Sequence, residues 1–363
     1  MDSDYSRPCI LLEEAQSALA KHLTAETGAR ALLMAETPAM AAVMREDLPA
    51  DGGVAGRIFA GAFLIEPYGE TPPEHAVEDA RRQALDFARA GADCLLIYGA
   101  RSLIQARTAV IGAKEAGLPV LAAFELVGEG DHLRGGGDIL AAFITLQELG
   151  IAAFGFSADV AGVMFGALER VRPYSRIPLL AMTRNLAGAL RREDAMELFR
   201  GRARKFARQG VSMMRVAGGR EGDLLATAGA MCGTLPDPVE RVDYRAADEI
   251  WLTNETQVYY LDTNLEYSDP LICESDMADA VLEAEREGRD VVCIELTSAA
   301  DGEFISRNNA ALSRMAAAFL SEDREALAAA LRAYNGRALV DGRSGLEPEE
   351  LAAAAAPYGA VVL

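Results

Sequence analysis

Short apolar runs alternate with longer Ala-, Glu- and Arg-rich stretches over the first 222 or so residues. Eight such runs can be counted: 10–12, 31–35, 58–65, 94–98, 119–124, 152–156, 178–182 and 211–216. Each is followed by a segment whose apolar positions recur at helical spacing, most clearly at 76–90, 103–116, 139–149 and 191–209. Gly91, Gly117, Gly150 and Gly210 stand where four of these helices would end in a left-handed cap. Strand and helix in alternation, joined by short connections, predict a parallel sheet. Eight units predict a closed (β/α)8 TIM barrel more readily than an open sheet.

The pattern changes after Met231. Thr234-Leu-Pro-Asp-Pro238 reads as a turn or linker, and a polar stretch follows up to Asn254 that contains the only tryptophan, Trp251. A second alternation then begins, with strands expected at 258–261, 291–296, 317–320, 338–340 and 360–363. Helices are expected at 275–287, 304–311, 323–334 and 347–356, with Ser275 and Ser321 as N-caps and Pro348 in a first turn. The division is therefore a barrel over 1–236 and a smaller α/β domain over 237–363.

Fifty-five acidic against 35 basic residues give a formal charge of −20, which disfavours nucleic acid and anionic membrane surfaces as partners. The five cysteines, Cys9, Cys94, Cys232, Cys273 and Cys293, form no C-x-x-C pair. That set suits a reducing compartment without a disulfide framework. The amino terminus opens no apolar segment of signal-peptide length and no run approaches membrane-spanning length, so the expected location is cytoplasmic.

In a parallel barrel the chemistry gathers just beyond the carboxyl ends of the strands. In chain order those positions hold Glu13-Glu14, Glu36-Thr37, Glu66, Tyr98-Gly99, Glu125, Ser157-Ala158-Asp159, Thr183-Arg184-Asn185 and Gly218-Gly219-Arg220-Glu221. From these, Glu13, Glu66, Tyr98, Glu125, Ser157, Asp159, Asn185, Gly218, Gly219, Arg220 and Glu221 are the candidate substrate-binding residues. Strand ends also carry polar residues simply because they meet water. Recurrent glutamates predict a cationic or amine-bearing ligand such as an amino acid, because a buried ammonium needs a paired charge. Gly135-Gly-Gly137 offers amides for an anion or serves as a loop over the mouth, and His132 lies in the same connection.

Several segments carry a family resemblance: Gly91-Ala-Asp-Cys-Leu-Leu-Ile-Tyr-Gly99, Ala113-Lys-Glu-Ala-Gly-Leu-Pro-Val-Leu121, Gly155-Phe-Ser-Ala158 and Asn185-Leu-Ala-Gly188. Together they resemble the homocysteine S-methyltransferase barrel, which also forms the amino-terminal part of cobalamin-dependent methionine synthase. The resemblance implies methyl transfer to a small thiol or amine, with methylfolate, a methylcorrinoid or an S-methyl compound as donor. It also implies a zinc ion held by three cysteines that ionises the acceptor thiol. Ala158, Arg220 and Glu221 stand at the positions of those cysteines, so zinc is not expected. A rival register against Met231-Cys232-Gly233-Thr234 recovers one cysteine only. The family's amino-terminal glycine signature is replaced by Glu13-Glu-Ala-Gln-Ser-Ala18, and its fourth-strand glutamate by Tyr98. Residues 321–341 resemble part of the pterin-binding domain of methionine synthases, with Asp341 in place of an asparagine. The alternative is a non-catalytic relative that binds an amino-acid-like ligand or a methyltransferase or corrinoid partner protein; on either reading a homodimer is compatible with the sequence.

Overall fold

The computed structural model describes residues 5, 7–48, 51–126, 132–159, 161–183, 192–235 and 249–363, with 46–47 and 192–195 as backbone only. Eight parallel strands close into a barrel, β8 pairing with β1. In order they are β1 (Cys9–Leu12), β2 (Arg30–Ala35), β3 (Gly53–Phe59), β4 (Cys94–Ala100), β5 (Val120–Glu125), β6 (Ala153–Ala158), β7 (Leu179–Thr183) and β8 (Val211–Val216). The helices between them are α1 (Ala20–Thr27), α2 (Pro38–Asp47), α3 (Pro73–Arg89), α4 (Leu103–Lys114), α5 (Ile139–Glu148), α6 (Ala161–Val171) and α7 (Arg192–Arg208), and α8 (Glu221–Cys232) follows the last strand. This is the (β/α)8 barrel that the alternation predicts. Gly91, Gly117, Gly150 and Gly210 all adopt positive φ, between 70° and 84°, at the ends of α3, α4, α5 and α7. The third apolar run is a correction. Its strand is Gly53–Phe59, and the chain beyond Phe59 turns through Ala60–Ala62 into a loop.

Period-2 alternation decides what fills the barrel. Leu11, Leu32, Ala55, Leu96, Leu121 and Met213 belong to one buried cluster inside it, closed below by Tyr5. The inward positions further along each strand are then fixed, and those nearest the carboxyl ends make the mouth.

The second domain begins with an antiparallel hairpin, β9 (Ile250–Thr253) and β10 (Val258–Leu261). A five-stranded parallel sheet in sequential order follows: β11 (Leu271–Ile272), β12 (Val291–Glu295), β13 (Ala316–Leu320), β14 (Leu339–Val340) and β15 (Val361–Val362). Its helices are α9 (Ala278–Arg286), α10 (Asp301–Leu312), α11 (Arg324–Ala333) and α12 (Pro348–Ala355). The strand at 258–261 therefore belongs to the hairpin, whose partner strand carries the buried Trp251, and the sheet starts at Leu271. The N-caps also differ. α9 is preceded by Met277, and α11 is capped by the Asp323 carboxylate, which accepts from the Glu325 N–H at 2.8 Å. Ser321 instead donates to the Leu296 carbonyl across the sheet.

The domains meet on α4 and α5. Arg107 of α4 is 1% exposed, and its terminal nitrogens donate to the carbonyls of Leu331 (2.6 Å) and Arg332 (2.9 Å) at the end of α11. A cation there satisfies carbonyls that the helix itself leaves open. Thr145 of α5 bonds Thr253 of the hairpin at 2.6 Å, and Glu148 pairs with Arg337 at 3.2 Å.

Candidate active site

Following the inward parity along each strand, from Leu11 to Glu13, Met34 to Glu36, Ala55 to Arg57, Leu96 to Tyr98, Ala123 to Glu125, Met213 to Arg215, and from Ala153 through Gly155 to Ser157, places these seven around the mouth. Arg57 and Arg215 are the two that strand-end logic passes over. Both lie inside strands, yet each is a charge at an inward position of an otherwise apolar run, and that parity is the signal that finds them.

Arg57 is largely buried, with its guanidinium stacked 3.9 Å from the Tyr98 ring centroid. It also forms an ion pair with Glu36. Burial, chiefly, and the charge of Arg215 pull its pKa down, opposed by Tyr98 and Glu13. Arg215 pairs with Glu13. Phe59 packs on the other side of Tyr98, ring centroids 5.4 Å apart, and extends the aromatic wall. Glu125 meets Arg134 at 3.1 Å and Arg101 at 3.9 Å. Ser157 is buried beside Glu125 in the β5–β6 register.

These pairings change the electrostatics expected from the glutamates. Glu13, Glu36 and Glu125 each already face an arginine, so the mouth is no uncompensated anionic cup. The physical motive for a purely cationic ligand is removed. What remains is a set of charge pairs able to receive both signs.

Other sequence candidates fall elsewhere. Glu66 lies in the loop past β3, its N–H bonded to the Thr71 carbonyl at 3.0 Å. Asp159 is exposed just beyond β6. Gly218 takes a positive φ of 64°, and the Gly219 carbonyl accepts from the Gln16 side chain at 2.9 Å. Arg220 is exposed and opens α8 as its N-cap residue, its N–H donating to Asp223. Glu221 turns to His22 of α1, 2.5 Å from Nδ1. Arg184 and Asn185 lie outside the described residues. The glycine loop is no anion cradle. Gly135 and Gly136 N–H groups bond the carbonyls of Arg101 and Leu133, and the Asp138 N–H bonds that of Glu255. The His132 backbone bridges to Asp138, and its side chain is exposed.

A homocysteine S-methyltransferase family model matches residues 11–245, well over half of the chain. The chain belongs to the homocysteine S-methyltransferase family. No curated protein matches its sequence. Among solved structures it is similar to the apo form of the Escherichia coli homocysteine methyltransferase MmuM, at 12% identity and a TM-score of 0.49, covering 62% of this chain and 96% of that one. The metallated form of the same enzyme matches at 14% identity and a TM-score of 0.46 over 61% and 96%. The 3-hexulose-6-phosphate synthase of Salmonella typhimurium gives 14% and 0.40 over 63% and 99%.

The residues present do not fit the three-thiolate zinc site of this family. Cys9 and Cys94 sit within the barrel cluster below the mouth, and burial pushes each thiol up to about 12. Cys273 and Cys293 belong to the second domain. Cys232, the thiol of the rival register, is the last residue of α8. A twelve-residue helix puts it about 18 Å along the axis from the end that faces the mouth. Among the described residues no three His, Cys, Asp or Glu side chains gather into a metal site.

Proposed function

We propose that this chain transfers a methyl group to a small amino-acid-like acceptor held in the barrel mouth, without the family's zinc. The observation carrying this reading is the pair of ion pairs, Glu13–Arg215 and Glu36–Arg57, set around Tyr98 at the carboxyl ends of the strands. A zwitterion presents one charge of each sign and matches such a set. In the transfer, the acceptor's sulfur or nitrogen forms a bond to the methyl carbon while the donor's bond to that carbon breaks and its electron pair leaves with the donor. The acceptor's proton passes to one of the mouth carboxylates. Guanidinium groups close by favour a thiolate over a thiol, because an adjacent positive charge lowers a thiol's pKa. Tyr98 and Phe59 supply an apolar wall against which an alkyl chain can lie.

Mass spectrometry of the purified protein incubated with homocysteine and a panel of donors (S-methylmethionine, methyltetrahydrofolate, methylcobalamin) checks this. Methionine formed with one donor and not in its absence is the expected result. Homocysteine that binds but is methylated by none of them would leave a binding protein built on the family's barrel.

A further inference from the structure

The two mouth arginines carry more unused hydrogen-bonding capacity than any other feature of the site. A guanidinium has five N–H donors in a rigid fork. Arg57 bonds Glu36 through one terminal nitrogen, and Arg215 bonds Glu13 through one terminal nitrogen. The Nε atoms of both are buried and have no partner among the described residues. Unsatisfied buried donors on a charged group are costly, and a bidentate anion is the group that satisfies two or more together.

We propose that Arg57 and Arg215 form a seat for the carboxylate of the mouth's ligand, so the acceptor is recognised first as an anion. This rests on the methyl-transfer reading of the same mouth. The arginine side chains are 13% and 17% exposed, whereas their glutamate partners are 48% and 34% exposed. The cations are therefore fixed in the wall and the glutamates stand on the solvent side. An entering carboxylate exchanges with a glutamate oxygen and meets arginines already in place. Tyr98 holds the Arg57 fork by stacking on its face, which leaves the N–H edge to point at the ligand. The two like charges oppose one another, Arg215 adding to the burial that chiefly lowers the Arg57 pKa, and an anion between them relieves that repulsion. The displaced glutamate is then available for the ligand's ammonium.

Calorimetric titration of the full chain with three thiols tests the seat. The probes are L-homocysteine, 4-sulfanylbutanoate (no ammonium) and 3-aminopropane-1-thiol (no carboxylate). The first two should bind, and the third should bind at least tenfold more weakly. Arg215→Gln should weaken 4-sulfanylbutanoate roughly 10- to 100-fold, the loss of a charge-assisted hydrogen bond. Arg215→Lys, which keeps the charge and loses the fork, should fall between. Glu36→Gln should tighten 4-sulfanylbutanoate by removing its competitor, a gain that a misfolded variant cannot produce. The seat is overturned if 3-aminopropane-1-thiol binds as well as 4-sulfanylbutanoate, if no probe binds, or if Glu36→Gln weakens the anion. Equal methylation of 3-aminopropane-1-thiol and homocysteine would overturn the seat while leaving methyl transfer standing. Binding in the predicted order with no methylated product would support the seat and remove the transfer.

Discussion

Glu255, in the turn between β9 and β10, is 5% exposed. Burial raises its pKa, with Tyr68 of the β3–α3 loop and Asn335 facing the group and opposing the rise. The folded chain then holds this proton more tightly than the unfolded chain. Its contribution to stability is greatest below the ordinary glutamate pKa and is lost as pH rises through the interval up to the raised value. Replacement by glutamine removes the charge that burial opposes. Urea midpoints of Glu255→Gln should exceed those of the native chain at pH 8, with the gap closing towards pH 4. A variant less stable at both pH values would show that the carboxylate is held by a favourable partner.

Packing between elements sets sharper limits than propensity does. Gly155 in β6 has no room for a side chain, because a Cβ there would lie 1.8 Å from the Leu180 carbonyl oxygen of β7. Gly166 in α6 has nothing within 4 Å of the same position. Gly155→Ala should therefore cost about 3 kcal/mol or more through overpacking, while Gly166→Ala should add roughly 0.5–1 kcal/mol through lost chain entropy. Thermal midpoints of the two variants check this pair, and equal shifts would contradict the strand spacing at β6 and β7. The same contrast explains what the sequence reveals. The barrel strands are legible because each is an apolar run followed by a helix, four of those helices ending in a positive-φ glycine, although the third run is set too far along the chain. β9 is not, since Ile250-Trp251-Leu252 is an apolar run of only three residues inside a polar stretch; Ile250 and Leu252 pack with the second domain's sheet, whereas Trp251 meets Tyr174 of the barrel and Tyr260 of β10. β11 is two residues long and leaves no period to detect. Of the mouth, Glu13, Tyr98, Glu125 and Ser157 follow from strand ends. Arg57 and Arg215 require the inward parity, which is known only once strand bounds are fixed. Glu221 misleads because the end of a strand and the start of a helix are adjacent in sequence while facing different neighbours.

Across the whole molecule, the second domain is tied to the barrel by polar groups that leave water together. Burial lowers the Arg107 pKa to about 10, still charged at neutral pH, and its partners are the open carbonyls at the end of α11. Arg107→Met keeps much of the volume but leaves those carbonyls without donors. A loss of about 2–4 kcal/mol in urea unfolding is expected, and an unchanged midpoint would mean that the docking does not depend on this contact. The barrel so buttressed presents a mouth of arginine–glutamate pairs in a family whose members use a thiolate-bound metal. Among the described residues no helix is long and apolar enough to cross a membrane. The most direct test of this account is methyl transfer to homocysteine after exhaustive dialysis against a chelator, comparing the native chain with Arg215→Gln and Glu221→Gln. Transfer that survives chelation, is unaffected by Glu221→Gln and falls about 10- to 100-fold in Arg215→Gln is the predicted result. Transfer that vanishes with the chelator and returns with zinc, or that Glu221→Gln damages as severely as Arg215→Gln, would contradict it.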